Sequence, residues 1–313
     1  MKIINFEEKW LSQAQELFRE NYEEERAHVP LLPDIAHWWP LAEMAANGLG
    51  VAAVEDDRLL GYLCVVSPFG PVFRTPDVTG VFSPVHAHAA RKQDRVNIYR
   101  RMYQAAAEKW VDAGASSHAL ALFAHDVLAQ EAFFMYGFGV RCMDLMRTTA
   151  PDVPQRTIAG VVFSELPASR CTELHPLRLE LSRHLAKSPC FMLDTEEMNK
   201  RWLSRREMEP PRMFVAEKDG EIQAYIEVGQ EGENMISNQP GILNICGAYC
   251  RPECRGTGVM AGVLRHVLET LHAEGVSLLG VDCESINPTA LGFWPKHFET
   301  YTHRWSGALM KMC

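Results

Sequence analysis

Apolar and polar positions follow the same order in two parts of the chain. Residues 54–62 and 216–225 each pass from an apolar segment through a short polar stretch to a second apolar segment, which predicts two strands joined by a tight turn. A helical pattern later ends at Gly114 and again at Gly275, and a short apolar strand follows each glycine. We interpret the halves as copies of one α/β unit; the alternative is a chance likeness between unrelated α/β domains.

A polar stretch with two prolines, residues 151–157, lies almost halfway along the chain. Such segments are typical of linkers, so we expect one domain over 1–150 and a second over 158–313. Residues 163–209 predict a strand and two helices at the start of the second domain. One helical stripe there consists of Leu174, Leu177, Leu181 and Leu185.

The most informative pattern is an apolar strand at residues 242–250 followed by a glycine-containing turn at 251–258. Apolar residues then recur as on the buried face of a helix: Val259, Met260, Val263, Leu264, Val267, Leu268 and Leu271. A helix N-terminus beside glycines binds phosphates well, and Arg255 adds a cation, so the segment favours a pyrophosphate site. The alternative is an ordinary strand-to-helix turn. The turn lacks the ending of a P-loop and the third glycine of a dinucleotide fingerprint.

These residues resemble the coenzyme A signature of the GNAT superfamily of acyl-CoA-dependent N-acyltransferases, Gln/Arg-x-x-Gly-x-Gly/Ala. Arg255-Gly256-Thr257-Gly258-Val259-Met260 supplies the arginine and the first required glycine, and departs at Met260, where a small residue is usual. Asn287-Pro288-Thr289-Ala290-Leu291-Gly292-Phe293-Trp294 resembles the family's next motif, Asn-x-x-Ala-x-x-aromatic-Tyr, except at its last position. The resemblance covers about residues 240–298.

The resemblance implies a fold and a coenzyme site. The expected fold class is α/β (α+β), with two tandem GNAT-like domains that each contain a mixed, mostly antiparallel sheet flanked by helices. The expected acyl donor is acetyl-CoA, held partly by the backbone of a strand that splays away from its neighbour. The residues implied to bind it are Ala248, Tyr249, Cys250, Arg255, Gly256, Thr257, Gly258, Val259, Met260, Asn287, Ala290, Phe293 and Trp294.

Acyl transfer to an amine needs a base for the ammonium and a proton for the departing thiolate. Asp282 and Glu284 alternate onto one face of a predicted strand, and Glu284 is the first candidate for the base; the alternative is that both carboxylates cap a helix or pair with surface cations. The family's tyrosine, which protonates the thiolate, is replaced by Trp294. Tyr249 and Tyr301 therefore remain as candidate acids, with water as the alternative.

Cysteines and histidines recur at two places with spacings that raise the question of a metal site. Cys246, Cys250 and Cys254 recur every four residues, and one alanine separates His86 from His88. Structural zinc sites have closer cysteine pairs, so we expect buried thiols, exposed loop histidines and no metal. Because the family transfers the acyl group directly, Cys250 is not expected to be a nucleophile.

The N-terminal half departs from the coenzyme pattern. Its corresponding strand, residues 79–85, leads into residues 86–95 without a glycine, and Asp126 stands where the family has asparagine. Three basic residues lie near the start of the following helix: Arg91, Lys92 and Arg95. We expect this cluster to be exposed to solvent. We interpret this half as a degenerate GNAT-like domain that completes the acceptor pocket or provides an interface, for example in a homodimer.

Composition and charge narrow the function. Of 313 residues, 47% are hydrophobic and 23% charged, as in soluble globular proteins, and no apolar run reaches the ~18 residues of a membrane span. The net charge of −9 disfavours nucleic acid as a partner. The acidic N-terminal segment and nine cysteines favour reduced thiols in the cytoplasm. We expect an N-acetyltransferase acting on an amine of a small molecule or peptide; the alternative is a non-catalytic CoA-binding sensor or scaffold.

Overall fold

The structure is a computed structural model that describes residues 1–72, 77–154, 157–208 and 211–308. The chain forms two compact units. Unit 1 contains residues 1–144 and 299–313, and unit 2 contains residues 145–298.

Unit 1 begins with an alternation of strands and helices. Its elements are β1 (Lys2–Asn5), α1 (Leu11–His28), α2 (Ala42–Ala46), β2 (Val51–Glu55), β3 (Arg58–Leu63), β4 (Gly80–Ser83), β5 (His88–Ala90), α3 (Arg95–Asp112), β6 (Ser117–Phe123), α4 (Val127–Phe134) and β7 (Gly139–Thr148), the last of which continues into unit 2. The sheet β1-β2-β3-β5 is antiparallel, whereas β4 and β6 are parallel. Asp56 and Asp57 join β2 to β3 with positive φ angles of 48° and 56°, as type I′ hairpin turns require.

Unit 2 repeats this plan around a central helix of its own, which is three residues shorter than α3. Its elements are β8 (Val161–Leu166), α5 (His175–Leu185), α6 (Glu196–Met208), β9 (Arg212–Lys218), β10 (Glu221–Gly229), β11 (Ile242–Cys250), α7 (Val259–Ala273), β12 (Leu278–Glu284) and α8 (Pro288–Leu291). The strand order is β12-β11-β10-β9-β8, and the pairs are antiparallel except β11 with β12. Asp219 and Gly220 form the β9–β10 turn with φ angles of 51° and 79°, which matches the hairpin of unit 1.

The apolar stripe predicted for α7 is buried, apart from one residue. The buried side chains are Val259, Val263, Leu264, Val267, Leu268 and Leu271. Burial of each contributes about 1.5–3 kcal/mol, and this stripe packs α7 against β9 and β10. Met260, which the spacing placed in the same stripe, is half-buried instead.

The strand that follows Phe298, β13 (Glu299–Ala308), belongs to unit 1. It pairs antiparallel with β6, and its Trp305 joins the core of unit 1. Arg304 donates a hydrogen bond to Asp144 at 2.6 Å. The consecutive domains expected over 1–150 and 158–313 remain a prediction; residues 155 and 156 of the expected linker lie outside the described ranges.

Two expectations for the N-terminal half were wrong. His86 and His88, expected as exposed loop histidines, are 6% and 4% exposed. The His86 ring lies against Trp39, and the His88 ring lies between the hydroxyl of Tyr99 in α3, at 3.0 Å, and the carbonyl oxygen of Ala121 in β6, at 2.7 Å. Arg95, expected at a solvated helix start, is 3% exposed and forms ion pairs with Glu24 at 2.9 Å and Asp126 at 3.2 Å. A buried guanidinium needs such partners.

The buried histidines of unit 1 predict destabilisation by acid. Burial lowers the pKa of His86, His88 and His118 from 6.5 to about 4 in the folded protein, so the unfolded chain binds protons first as the pH falls. The free energy of unfolding should therefore decrease from about pH 6.5 towards about pH 4. The slope of this free energy against pH should reach at most ~4 kcal/mol per pH unit if all three histidines bind their protons on unfolding.

Urea unfolding at stepwise lower pH measures this dependence. His88→Gln should flatten this dependence, because it removes one of the three buried imidazoles. Equal slopes for the wild type and the His88 variant would contradict the prediction.

Candidate functional site

The central strand of unit 2 separates from its parallel neighbour partway along its length. β11 pairs with β12 over residues 242–245, and then continues to Cys250 paired with β10. At the point of separation the β10 register shifts, so that Cys246 is an extra residue between Ile245 and Gly247. Such a bulge bends a strand. The edge of β11 that would face β12 is therefore open to a ligand beyond residue 246.

The glycine-containing turn follows β11, as the sequence predicted. A short 3-10 helix over Pro252–Cys254 leads into the turn, and α7 begins directly after it. Gly256 and Gly258 have φ angles of 76° and 96°, a region in which a side chain causes strain. Thr257 closes the turn by donating its hydroxyl to the carbonyl oxygen of Cys254 at 2.6 Å. The N–H groups of the first turn of α7 thus lie beside the glycines.

Arg255 is held between β11 and the turn by two contacts. Its Nε donates a hydrogen bond to the carbonyl oxygen of Cys250 at 3.0 Å. Its guanidinium carbon lies 5.5 Å from the centre of the Tyr249 ring, where a cation–π contact contributes about 0.5–1 kcal/mol. The two contacts place a fixed positive charge beside the N-terminus of α7.

Asn287 caps α8 and connects it to α5. Its Oδ1 accepts hydrogen bonds from the backbone N–H of Thr289 at 3.2 Å and from the hydroxyl of Thr289 at 2.8 Å. The same oxygen lies 3.2 Å from Nε2 of His184 on α5. Pro288 occupies the first helical position, so the Asn-Pro pair forms the helix start that its sequence favours.

These elements surround a cavity of about 610 Å³ in unit 2. The predicted coenzyme residues that line it are Ala248, Tyr249, Cys250, Arg255, Gly256, Gly258, Met260, Asn287, Ala290, Phe293 and Trp294. Two others do not line it: Thr257 closes the turn, and Val259 is 3% exposed and packs on the buried face of α7. Met260 contributes to the cavity wall because its side chain leaves the buried stripe of α7.

Among the described residues that line this cavity, the charged ones are Arg255 and Lys296, both cations, and they lie with His184 and His297. Burial lowers the pKa of His297, and the cations of Arg147 and Lys296 lower it further, so its imidazole is neutral near pH 7. The chain as a whole has a net charge of −9. A positive wall in an acidic protein favours an anionic ligand at this position.

Tyr249 and Cys250 both keep their protons at neutral pH. Burial raises the pKa of Tyr249, and the charge of Glu180, which also hydrogen-bonds the tyrosine side chain, raises it further. Burial, with a smaller contribution from Cys254, raises the pKa of Cys250 to about 11. A protonated phenol can donate a proton, whereas a protonated thiol is a poor nucleophile. The arrangement favours Tyr249 as an acid and disfavours Cys250 in covalent catalysis.

Two predicted catalytic residues do not line the cavity. Glu284 is half-buried at the end of β12, three positions after the last residue paired with β11, and its carbonyl oxygen accepts a hydrogen bond from the N–H of Asn287 at 3.0 Å. Tyr301 is 1% exposed in β13 of unit 1. The structure therefore brings Tyr249, but neither of these side chains, together with the coenzyme residues.

A buried carboxylate that was not among the predicted site residues lies at the opening. Glu227 of β10 is 4% exposed and pairs with Gly247 across the bulge. Its Oε2 lies 3.4 Å from the position that a Cβ on Gly247 would take, so the glycine leaves space beside the carboxylate. A sequence signal was present, because Glu227 stands between Ile226 and Val228 in an otherwise apolar part of the strand.

The cysteines at this site are not uniformly buried, contrary to the expectation. Cys250 is buried, but Cys254 is half-buried and Cys246 is exposed at the bulge. Among the residues that the structure describes, no group of three or more His, Cys, Asp and Glu side chains could hold a metal ion. In the same ranges, no helix combines the length and the apolarity that crossing a bilayer requires.

Residues 179–298 match the family model described as the acetyltransferase (GNAT) family. The match contains the opening of β11, the glycine turn, α7 and α8, and the predicted resemblance to this family is confirmed. The family consists of acyl-CoA-dependent N-acyltransferases. A comparison with curated proteins returns no significant match.

Solved structures share the fold over nearly the whole chain. A GCN5-related N-acetyltransferase from Sphaerobacter thermophilus has a TM-score of 0.60 at 15% identity, over 95% of this chain and 91% of that one. A glucosamine N-acetyltransferase region of a fungal multi-domain GH3 β-N-acetylglucosaminidase has a TM-score of 0.57 at 12% identity, over 97% of this chain and 38% of that one. A tandem GNAT protein from the clavulanic acid biosynthesis pathway has a TM-score of 0.50 at 14% identity, over 98% of both chains. The predicted fold class of two tandem GNAT-like domains is confirmed.

Removal of the α8 cap should destabilise the cavity wall. Asn287→Ala deletes the oxygen that Thr289 and His184 share, and should lower the free energy of unfolding by about 1 kcal/mol. Asn287→Asp keeps an oxygen in place, so its free energy of unfolding should stay within ~0.5 kcal/mol of that of the wild type. Urea unfolding measures both variants, and an equal loss in the two would contradict the capping role.

Proposed function

We propose that this protein, whose residues 179–298 form a GNAT domain, is an N-acetyltransferase that transfers the acetyl group of acetyl-CoA to an amine of a small molecule or peptide. The observation that carries the proposal is the cavity of unit 2. Its wall combines the glycine turn at the N-terminus of α7 with two cations, Arg255 and Lys296. A diphosphate is the anion that such a wall suits best.

In this proposal acetyl-CoA lies along the opening between β11 and β12. The diphosphate contacts the turn through Arg255, Gly256, Thr257 and Gly258, with the backbone N–H groups of Val259 and Met260 as further donors. The pantetheine lies beside the open edge of Ala248, Tyr249 and Cys250, whose backbone groups lack a strand partner on that side. The opposite wall is formed by Asn287, Ala290, Phe293 and Trp294.

The reaction is a direct transfer. The acceptor nitrogen attacks the thioester carbonyl, a C–N bond forms, and the C–S bond breaks. Backbone N–H groups on the open edge of β11 stabilise the oxyanion of the tetrahedral intermediate. Tyr249 donates its proton to the leaving thiolate, and Glu180 positions the phenol through their hydrogen bond. The proton lost by the nitrogen passes to a carboxylate at the opening.

Two carboxylates compete for the role of base. Glu284 remains the candidate from the sequence, since it lies on the β12 side of the opening. Glu227 lies on the β10 side, buried beside Gly247. The comparison of Glu284→Gln with Glu227→Gln separates them, because removal of the base lowers kcat and abolishes the acidic limb of the pH–rate profile.

A non-catalytic acyl-CoA-binding sensor is the second candidate. The observation that favours it is Trp294, which is 6% exposed and lines the cavity where the family has a proton-donating tyrosine. Release of free thiol from acetyl-CoA in the presence of polyamines, aminosugars and peptides with free N-termini decides between the two. Acetyl-CoA binding without thiol release for any class of amine would favour the sensor.

The glycine turn should control acetyl-CoA binding. Gly258→Asp introduces a carboxylate into the turn and should raise the dissociation constant more than tenfold through repulsion of the diphosphate. Gly275→Asp is a matched control, because Gly275 has a similar positive φ of 82° near the other end of α7. Both variants should lose about 1 kcal/mol of stability. Calorimetric titration measures the affinity, and equal weakening in both variants would contradict a coenzyme site at the turn.

Loss of the Tyr249 proton should affect turnover rather than coenzyme binding. Tyr249→Phe keeps the ring beside Arg255 and should lower kcat by about 10²-fold or more, while the acetyl-CoA dissociation constant changes less than ~3-fold, since the lost hydroxyl contributes little to binding. Steady-state thiol release measures kcat, and calorimetry measures the acetyl-CoA dissociation constant. An unchanged kcat would leave water as the acid.

A further inference from the structure

Unit 1 contains a separate cavity of about 270 Å³. It is formed by α1, the connection between α1 and α2, β3 and the turn before β5. The side chains that decide its chemistry are Gln15, Phe18, Trp38, Trp39, Tyr62 and His86. Pockets for drug-sized ligands have volumes of roughly 300–1,000 Å³, so this cavity suits a molecule of one or two rings.

The walls of this cavity are aromatic. Phe18 and Trp38 meet edge to face with ring centres 5.8 Å apart, and Trp39 meets the His86 ring in the same way at 5.7 Å. Tyr62 donates its hydroxyl to the carbonyl oxygen of His86 at 2.8 Å, so it presents its ring rather than its polar group. Planar apolar walls of this kind favour a planar aromatic ligand.

His86 supplies a polar atom without a protein partner. Its side chain is 6% exposed, and within the described residues its Nδ1 is buried with no hydrogen-bond partner. Buried polar side-chain atoms are paired in the large majority of cases, and an unpaired one costs about 1–3 kcal/mol. A ligand that hydrogen-bonds this nitrogen would recover that free energy.

The cavity favours a neutral ligand. Burial lowers the pKa of His86 to about 4, and nearby His88 lowers it further, so the imidazole is uncharged near pH 7. In the described part of unit 1, no residue that lines this cavity has a charged side chain. Arg19, which lies over Trp38 at 5.3 Å, is not among these lining residues.

We propose that unit 1 binds a neutral aromatic small molecule of one or two rings, which packs against Trp38 and Trp39 and hydrogen-bonds Nδ1 of His86 through a hydroxyl or a ring N–H. Unit 1 therefore has a ligand of its own. This inference goes beyond acyl transfer and does not depend on it.

Two probes of nearly the same shape test the hydrogen bond, 4-methylphenol and toluene. The full chain should bind 4-methylphenol at one site, about tenfold more tightly than toluene, which corresponds to ~1.4 kcal/mol. His86→Phe keeps a ring without the nitrogen and should abolish this preference. Trp39→Ala should weaken both probes, and His37→Gln, at a nearby histidine that does not line the cavity, should change neither. Ligand-observed NMR titration gives the affinities.

Three results would overturn the proposal: equal affinity of the wild type for the two probes, a preference that survives His86→Phe, or displacement of 4-methylphenol by saturating acetyl-CoA. Displacement would place the probe in the cavity of unit 2. If His86→Phe does not fold, Trp39→Ala decides alone, because Trp39 is 37% exposed and tolerates truncation. Unchanged affinity for both probes in that variant would then reject the site.

Discussion

The separation of β11 from β12 is the constraint on which the site of unit 2 depends. Backbone N–H and C=O groups inside a sheet almost always have partners, and parallel strands at its centre normally pair along their length. Here the pairing covers residues 242–245, and the bulge at Cys246 bends β11 away. The open edge can pair with an occupant that hydrogen-bonds like a strand, and in the proposed function this occupant is the pantetheine chain of acetyl-CoA.

The two units differ at the start of their central helices. In unit 2, α7 begins at two glycines with positive φ angles, and the charge beside it belongs to Arg255. In unit 1, the first residue of α3 is Arg95, a buried guanidinium that pairs with Glu24 and Asp126. An anion at this helix start would have to compete with two carboxylates for one cation. This is a physical reason why the helix of unit 1 is a poor phosphate site, beyond the absence of glycine in the turn.

Local patterns predicted a large part of unit 2, because its proposed coenzyme site is built from contiguous segments. The stripe of α7, the glycine turn and the Asn287 cap each follow from the chemistry of a few neighbouring residues. The exposed Cys246, the outward Met260 and the buried Glu227 depend on a bulge and on pairing between distant strands, which spacing along one segment does not encode. The burial of His86, His88 and Arg95 likewise depends on residues that are distant in sequence, which are Trp39 for His86, Tyr99 and Ala121 for His88, and Glu24 and Asp126 for Arg95. Glu180 and His184 share a helix with the predicted leucine stripe, but their partners lie far away in sequence.

The assignment of β13 to unit 1 has a consequence for the order in which the chain folds. A ribosome releases residues from the N-terminus onward, so residues 145–298, which contain all of unit 2, emerge before Trp305 can enter the core of unit 1. Until then β6 lacks its antiparallel neighbour and presents an unpaired apolar edge, which is a site for wrong pairing with another chain. Most of unit 1 is therefore synthesised before unit 2, yet unit 1 can complete its fold only after unit 2 has been synthesised.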